Sequence, residues 1–173
     1  MKIYINLIII IFFLSCSGIE KENDFYKEDI SDQKSWNPII ILTRDGIKRS
    51  VIKSEKMYKS EKKNEIILEL GIDADLFSTD QVHMSNLKSN KAIIFEKSDN
   101  LLAIGNVRVF SDSGITLYTD SLLWNNKNER IFSNDSIMLT TNFNDTLYGI
   151  GFESNADLTH WKIKKPWGVS SEN

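Results

Sequence analysis

From Pro38 onward, turn-forming residues recur roughly every ten positions, and the stretches between them are short apolar runs rich in β-branched side chains. That rhythm constrains the fold more than any other feature. A helix buries its stripe only when apolar residues return every three to four positions, and no stretch after Pro38 combines that period with caps. A sandwich or barrel of many short strands remains.

The runs are read in order. Ile39 to Leu42 is followed by Arg44-Asp45-Gly46, a strong hairpin signal. Ile47 to Met57 continues to a polar turn over Lys59 to Asn64, and Glu65 to Leu70 is a further strand with a bulge expected at Gly71. Asp73 to Leu87 fits either an irregular strand pair or a short helix. Ala92 to Glu96, Leu101 to Phe110, Ile115 to Trp124, Arg130 to Phe132 and Ile137 to Thr141 are strands separated by Ser, Asn, Asp and Gly. Thr146 to Phe152 and Leu158 to Ile163 complete the domain, and Pro166 and Gly168 end the last strand. Each run has one apolar parity. Ile115, Leu117 and Thr119 point one way and Thr116, Tyr118 and Asp120 the other, so one interior lined by every strand is expected. A faint echo links Ala74-Asp75-Leu76, Thr119-Asp120-Ser121-Leu122 and Ala156-Asp157-Leu158.

The first residues read as an address. Met1-Lys2 precedes an apolar run from Ile3 to Leu14, too short for the roughly 20 residues of a spanning helix. Leu14-Ser15-Cys16 at its end resembles a bacterial lipobox, with Phe13 where Leu is commonest. This resemblance implies a signal peptide over 1–15 and acyl chains on Cys16. Each buried CH₂ contributes about 0.8 kcal/mol, so two or three chains anchor stably. The alternative is an uncleaved short anchor with Cys16 incidental. Ile19 to Asn37 is highly charged and without period, and reads as a flexible linker of about 25 Å as a coil and about 60 Å extended. The expected organisation is signal 1–15, lipidated Cys16 and linker 16–37, a β domain over 38–167, and a tail over 168–173.

Among 173 residues the net charge is −3 and the charges are mixed, with no basic block for nucleic acid. A single cysteine leaves no intramolecular disulfide and no thiolate cluster. His83 and His160 are isolated and read as structural. Asp75, Asp120 and Asp157 recur at the echoed step, which suits turn or sheet-exit roles better than a catalytic dyad. No nucleophile elbow, phosphate loop or metal-binding helix motif is found. The chain is therefore expected to be no enzyme and to need no metal or cofactor.

Leu102 to Val109 (Leu-Ala-Ile-Gly-Asn-Val-Arg-Val) runs into Gly114 to Trp124, with Asn134-Asp135 and Gly149-Ile150-Gly151-Phe152 following. This pattern resembles the rungs of the lipopolysaccharide-transport β-jellyroll family, OstA/LptA-like, and within it the LptC family. The resemblance covers roughly Pro38 to Trp167 and is best from Leu102 to Trp161. The better-studied LptC proteins carry an N-terminal transmembrane helix, whereas this chain resembles a lipoprotein-anchored variant.

The resemblance implies an open, bent, antiparallel β-jellyroll on the periplasmic side of the inner membrane. It would receive lipopolysaccharide from the transporter LptB2FG, whose LptF and LptG subunits carry β domains, and pass it to the bridge protein LptA. Ile115, Leu117, Leu122, Trp124, Ile137, Leu139, Phe152 and Leu158 are the groove candidates, equally readable as plain core. Ile39, Ile41 and Val51 are candidates for the transporter-facing edge, and Leu158, Trp161 and Ile163 for the LptA-facing edge. Unpaired edges are an aggregation hazard that strand addition by like domains removes. Gly105, Gly149 and Gly151 suit close backbone approach or a bulge. Lys162, Lys164 and Lys165 read as edge-protecting charges or as contacts for lipid phosphates. Two alternatives remain: a soluble LptA-like bridge, and an envelope scaffold or carbohydrate-binding lipoprotein, which exposed aromatics on one sheet face would favour.

Overall fold

The computed structural model describes residues 33–143 and 145–167. The signal segment, Cys16, most of the linker and the tail from Gly168 lie outside the described residues. Ten strands are present: β1 (Gln33–Trp36), β2 (Ile39–Arg44), β3 (Ile47–Ser60), β4 (Glu65–Phe77), β5 (His83–Phe95), β6 (Asn100–Ser111), β7 (Thr116–Asn125), β8 (Arg130–Thr140), β9 (Thr146–Asn155) and β10 (Trp161–Trp167). All pairings are antiparallel, and from β3 onward each strand pairs with its successor. β1 and β2 lie end to end along the far side of β3.

Most hairpins fall where Gly, Asn and Asp were read as turns, because those side chains tolerate positive φ at little cost. Asp45 and Gly46 have φ of 54° and 77°, and Asn64 and Asp99 each have φ of 54°. Asp73 to Leu87 is a strand pair, with Ser78 to Val82 closing the turn through Ser78 N–H to Val82 O at 2.9 Å. Several boundaries differ from the sequence reading. Glu65 to Leu70 continues past Gly71 to Phe77 as one strand, the strand read from Ala92 already begins at His83, and Pro166 lies within β10. β1 forms within the segment read as linker. Arg130 to Thr140 is one strand interrupted by a bulge, not two strands. Leu158, with φ 58°, lies in the turn before β10, which starts only at Trp161.

Bulges set the shape. The register shifts once in mid-strand along each pairing from β3 to β9, at Ser54/Lys56, Glu69/Ile72, Lys88/Lys91, Ile104/Val107, Thr119/Leu123 and Ser133/Ser136. A bulge bends its strand and leaves backbone groups unpaired. Aligned in neighbouring strands, the bulges fold the whole sheet across its middle.

Buried hydroxyls occupy the fold line. Ser54 Oγ donates to Lys56 O at 3.2 Å and Ser89 Oγ to Lys91 O at 2.9 Å. Thr119 Oγ1 lies 2.9 Å from Ser133 Oγ and 3.0 Å from Ser136 O, and Ser133 Oγ accepts the Asp135 N–H at 3.1 Å. Each short side chain meets a carbonyl or amide that the interrupted ladder would leave bare in the core. Gly105, with φ 78°, completes the turn of β6, and a Cβ there would crowd the Asn90 side chain.

The fold brings opposite strand ends together. Ser85 pairs with Ser111 where β6 finishes, and Ala156 follows β9 beside the start of β8. In a flat sheet such ends would be about 35 Å apart. Here Ser85 Oγ donates to Ala156 O at 2.7 Å, Ser111 Oγ donates to Asp157 O, and Arg44 Nη1 donates to Asn126 O at 3.4 Å. Buried Arg49 forms an ion pair with Glu129. One apolar cluster fills the space between the layers, with members from β2 to β9 and the turn after β9.

Thr119→Val keeps the volume and removes the hydroxyl at the centre of the fold line. It is expected to lower unfolding stability by about 1–3 kcal/mol, the cost of leaving buried polar partners unmet. Urea denaturation measures this, and a loss below about 0.5 kcal/mol would show that the hydroxyl network does not hold the bend.

Candidate functional site

The interior is built from alternate residues of each strand, but the single parity expected along each strand does not hold. At the bulge of β7 the inward set passes from Leu117 and Thr119 to Leu122 and Trp124, and in β5 from Leu87 and Ser89 to Ala92 and Ile94, because the extra bulge residue turns the strand over. Leu117, Leu122, Trp124, Leu139, Phe152 and Leu158 are fully buried, Ile137 nearly so, and half-buried Ile115 packs against them. All eight groove candidates thus share one cluster, with Leu68, Leu76, Leu87 and Leu101 from β4 to β6. The layers are in contact there, and these side chains pack on one another. Within this interior the Trp124 indole N–H finds no acceptor among the described residues.

Both outermost strands have an unpaired side. β2 carries Ile39 and Ile41 at 64% and 57% exposure. Val51 belongs to β3, which is flanked by β2 and β4, so the N-terminal edge is Gln33–Arg44 and excludes it. On the other edge, β10 presents Trp161 and half-buried Ile163, whereas Leu158 is core and not edge. Lys162, Lys164 and Lys165 are exposed on β10, and Lys164 Nζ donates to Asn134 Oδ1 at 3.1 Å. Ile163 reaches the core across Gly149, where any Cβ would collide with Ile163 Cγ2. Gly149 thus lets β10 press onto β9.

The three echoed aspartates occupy three different settings. Asp75 accepts from Asn86 Nδ2 at 2.9 Å. Asp157 caps its turn through Thr159 N–H at 3.0 Å. Asp120 lies exposed at the fold line and makes no hydrogen bond among the described residues. His160 shares a turn network with Asn155 and Thr159. His83 lies between two carboxylates, with Nδ1 at 2.8 Å from Asp112 and Nε2 at 3.4 Å from Asp75. The Asp112 hydrogen bond, reinforced by the charges of both carboxylates, outweighs partial burial and raises the His83 pKa above its ordinary 6.5. Among the described residues no cluster of three or more His, Cys, Asp or Glu could hold a metal.

The chain matches the family described as "Lipopolysaccharide-assembly, LptC-related" over residues 7–166. It belongs to the LptC family. Membership gives the chain a role in lipopolysaccharide transport. The fold agrees with that of a solved structure, LptH from Pseudomonas aeruginosa, titled the LptA homologous periplasmic component of the conserved lipopolysaccharide transport device. The TM-score is 0.55 at 8% identity, over 67% of this chain and 82% of LptH. No curated protein matches the chain.

The spacing of apolar residues predicted the interior, but the ion pair of Arg49 with Glu129 has no sequence signal, since the partners meet only after the sheet folds. The open-sheet jellyroll of this LptC-family chain is the one the rung pattern implied.

His83 generates a pH prediction. A raised folded pKa adds stability that is full below the unfolded value near 6.5 and is lost as pH rises through the folded value. The denaturation midpoint should therefore fall between about pH 6 and pH 8 in the native chain and fall less in His83→Gln. NMR titration should place His83 above 6.5, with Asp112→Asn lowering it; an unchanged value in that variant contradicts the assignment.

Proposed function

We propose that this LptC-family chain is the periplasmic subunit of the lipopolysaccharide export transporter, held at the inner membrane by lipidated Cys16. It takes lipid from the β domains of LptF and LptG and passes it to LptA. The observation that carries this reading is a sheet that never closes. An apolar interior lined by successive strands runs between two unpaired edges, β1/β2 and β10. Like domains can add strands at both ends and extend that interior into neighbours.

The packed interior requires that the layers part to admit acyl chains. The contacts that hold them together outside the apolar cluster are few and polar. Ser85 to Ala156, Ser111 to Asp157 and Arg49 to Glu129 are each replaceable by water or a headgroup. The buried Trp124 N–H also suits the interior to an acyl ester or amide carbonyl, which would supply its acceptor. ATP hydrolysis on another subunit would drive the lipid from behind.

The test is photocrosslinking in the parent cell, with a photoreactive residue at Leu117 or Leu139 and a control at exposed Lys127. An ATP-dependent lipopolysaccharide adduct from the interior positions alone is expected. A second arm joins the layers with a Ser85→Cys, Ala156→Cys disulfide. Oxidation should abolish the adduct and reduction restore it. Absence of interior adducts in a folded, anchored protein, or adducts that persist in the locked form, would remove the parting-layer route.

A further inference from the structure

On the outer face of the folded sheet, opposite the core, one cross-strand row changes character along its length. Asp73 on β4 pairs in register with Lys88, Lys88 with Arg108, Arg108 with Tyr118, Tyr118 with Met138, Met138 with Tyr148, and Tyr148 with Trp167. The row begins with an ion pair, Lys88 Nζ to Asp73 at 3.7 Å. It ends in aromatics. Around that end lies an open depression of about 340 Å³, walled by Arg108, Tyr118, Asp120, Met138, Tyr148 and Trp167. Tyr148 is 39% and Trp167 50% exposed, and among the described residues no ring of the three aromatics, Tyr118, Tyr148 and Trp167, stacks on another ring. The side chains of Arg108 and Asp120 make no hydrogen bond or ion pair among the described residues, although both line the same depression.

This combination has a chemical reading. Planar faces of Tyr and Trp attract the C–H-rich face of a pyranose ring. Sugar hydroxyls both donate and accept, so a carboxylate and a guanidinium lining one depression serve them together. A guanidinium also takes a carboxylate or phosphate in a two-point contact. The volume lies at the small end of the about 300–1,000 Å³ range of ligand sites, which suits a short saccharide. We propose that this outer depression binds a saccharide bearing an anionic substituent, its ring on the Tyr148–Trp167 platform, its anionic group on Arg108 and a hydroxyl on Asp120.

The site lies on the opposite face from the acyl path and does not depend on it. The saccharide could belong to the lipid being moved or to another envelope glycan, and the probe set separates these sources. The full-length protein in detergent is titrated with three ligands: delipidated lipopolysaccharide core oligosaccharide carrying phosphate, a muramic-acid disaccharide carrying a carboxylate, and neutral maltotriose. Calorimetry and saturation-transfer NMR are the readouts.

Binding of one or both anionic ligands, at least about tenfold tighter than maltotriose, is expected. The preferred ligand identifies the source. Trp167→Ala should weaken anionic-ligand binding about tenfold or more, whereas Trp161→Ala, elsewhere on β10, should not. Arg108→Ala should erase the preference for the anionic ligand over maltotriose. All these residues are at least partly exposed, so the variants are expected to fold, and circular dichroism verifies this. No binding of any of the three at about 10 mM, or binding indifferent to both Trp167 and Arg108, overturns the proposal. Neither result bears on interior crosslinking, so this proposal and the transport route can fail separately.

Discussion

The line of bulges from β3 to β9 is the constraint on which the molecule rests. A ten-stranded sheet with nearest-neighbour connections has no topological reason to enclose anything. Flat, it would leave one apolar face in water. Bending the strands from β3 to β9 at the same height lets the sheet cover itself, and one continuous core results. The bend is possible because Ser54, Ser89, Thr119 and Ser133 put hydroxyls where ladder hydrogen bonds are missing. Their burial would otherwise leave bare carbonyls and amides against Leu and Ile, a cost of about 1–3 kcal/mol for each. Arg49 with Glu129 and the serines that reach Ala156 and Asp157 then fasten one layer to the other.

How much of this was legible in the sequence depended on range. Strands and hairpins are local, and the period of two in Ile115 to Thr119 identified which side chains face inward before any partner was known, whereas the change of parity to Leu122 and Trp124 belongs to the bulge. The family rung pattern supplied the open jellyroll. Bulges were hard to see because their residues look like turn residues. Ser133-Asn134-Asp135 reads as a break between strands, and only the pairing with Ser133/Ser136 shifted against β9 shows one bent strand. Edge assignment failed at Val51 for a related reason. A β-branched residue next to a hairpin looks the same whether its strand has one neighbour or two. Leu158 looked like strand, yet its φ of 58° places it in a turn from which the side chain still reaches the core. The outer row from Asp73 to Trp167 was invisible for the opposite reason. Each member is an ordinary outward residue of its own strand, and six registers must be known before the seven line up.

A closed interior and a role in lipid transport are compatible if the interior is a resting state. A packed core of aliphatic side chains stabilises the empty domain and excludes water from a surface that would otherwise promote aggregation. The polar fasteners between layers sit at the strand ends and the apolar cluster lies between them. Opening would therefore start from the ends, near the free edges, and under the proposed function docking of a partner strand and loading of lipid would be linked events.

The chain contains two prolines, and both lie along the free edges. Pro38 separates β1 from β2 and Pro166 lies inside β10. A proline has no N–H to give an added strand. Each open edge therefore offers a ladder with a missing rung, and two copies meeting edge to edge would superimpose their gaps on a poor match. Open sheets of this kind tend toward uncontrolled filaments. Here the growth of like on like is penalised at both ends, while a partner whose own strand is broken or bulged at the matching height loses nothing. Two imino acids thus count against edge-to-edge growth of the domain on its own copies.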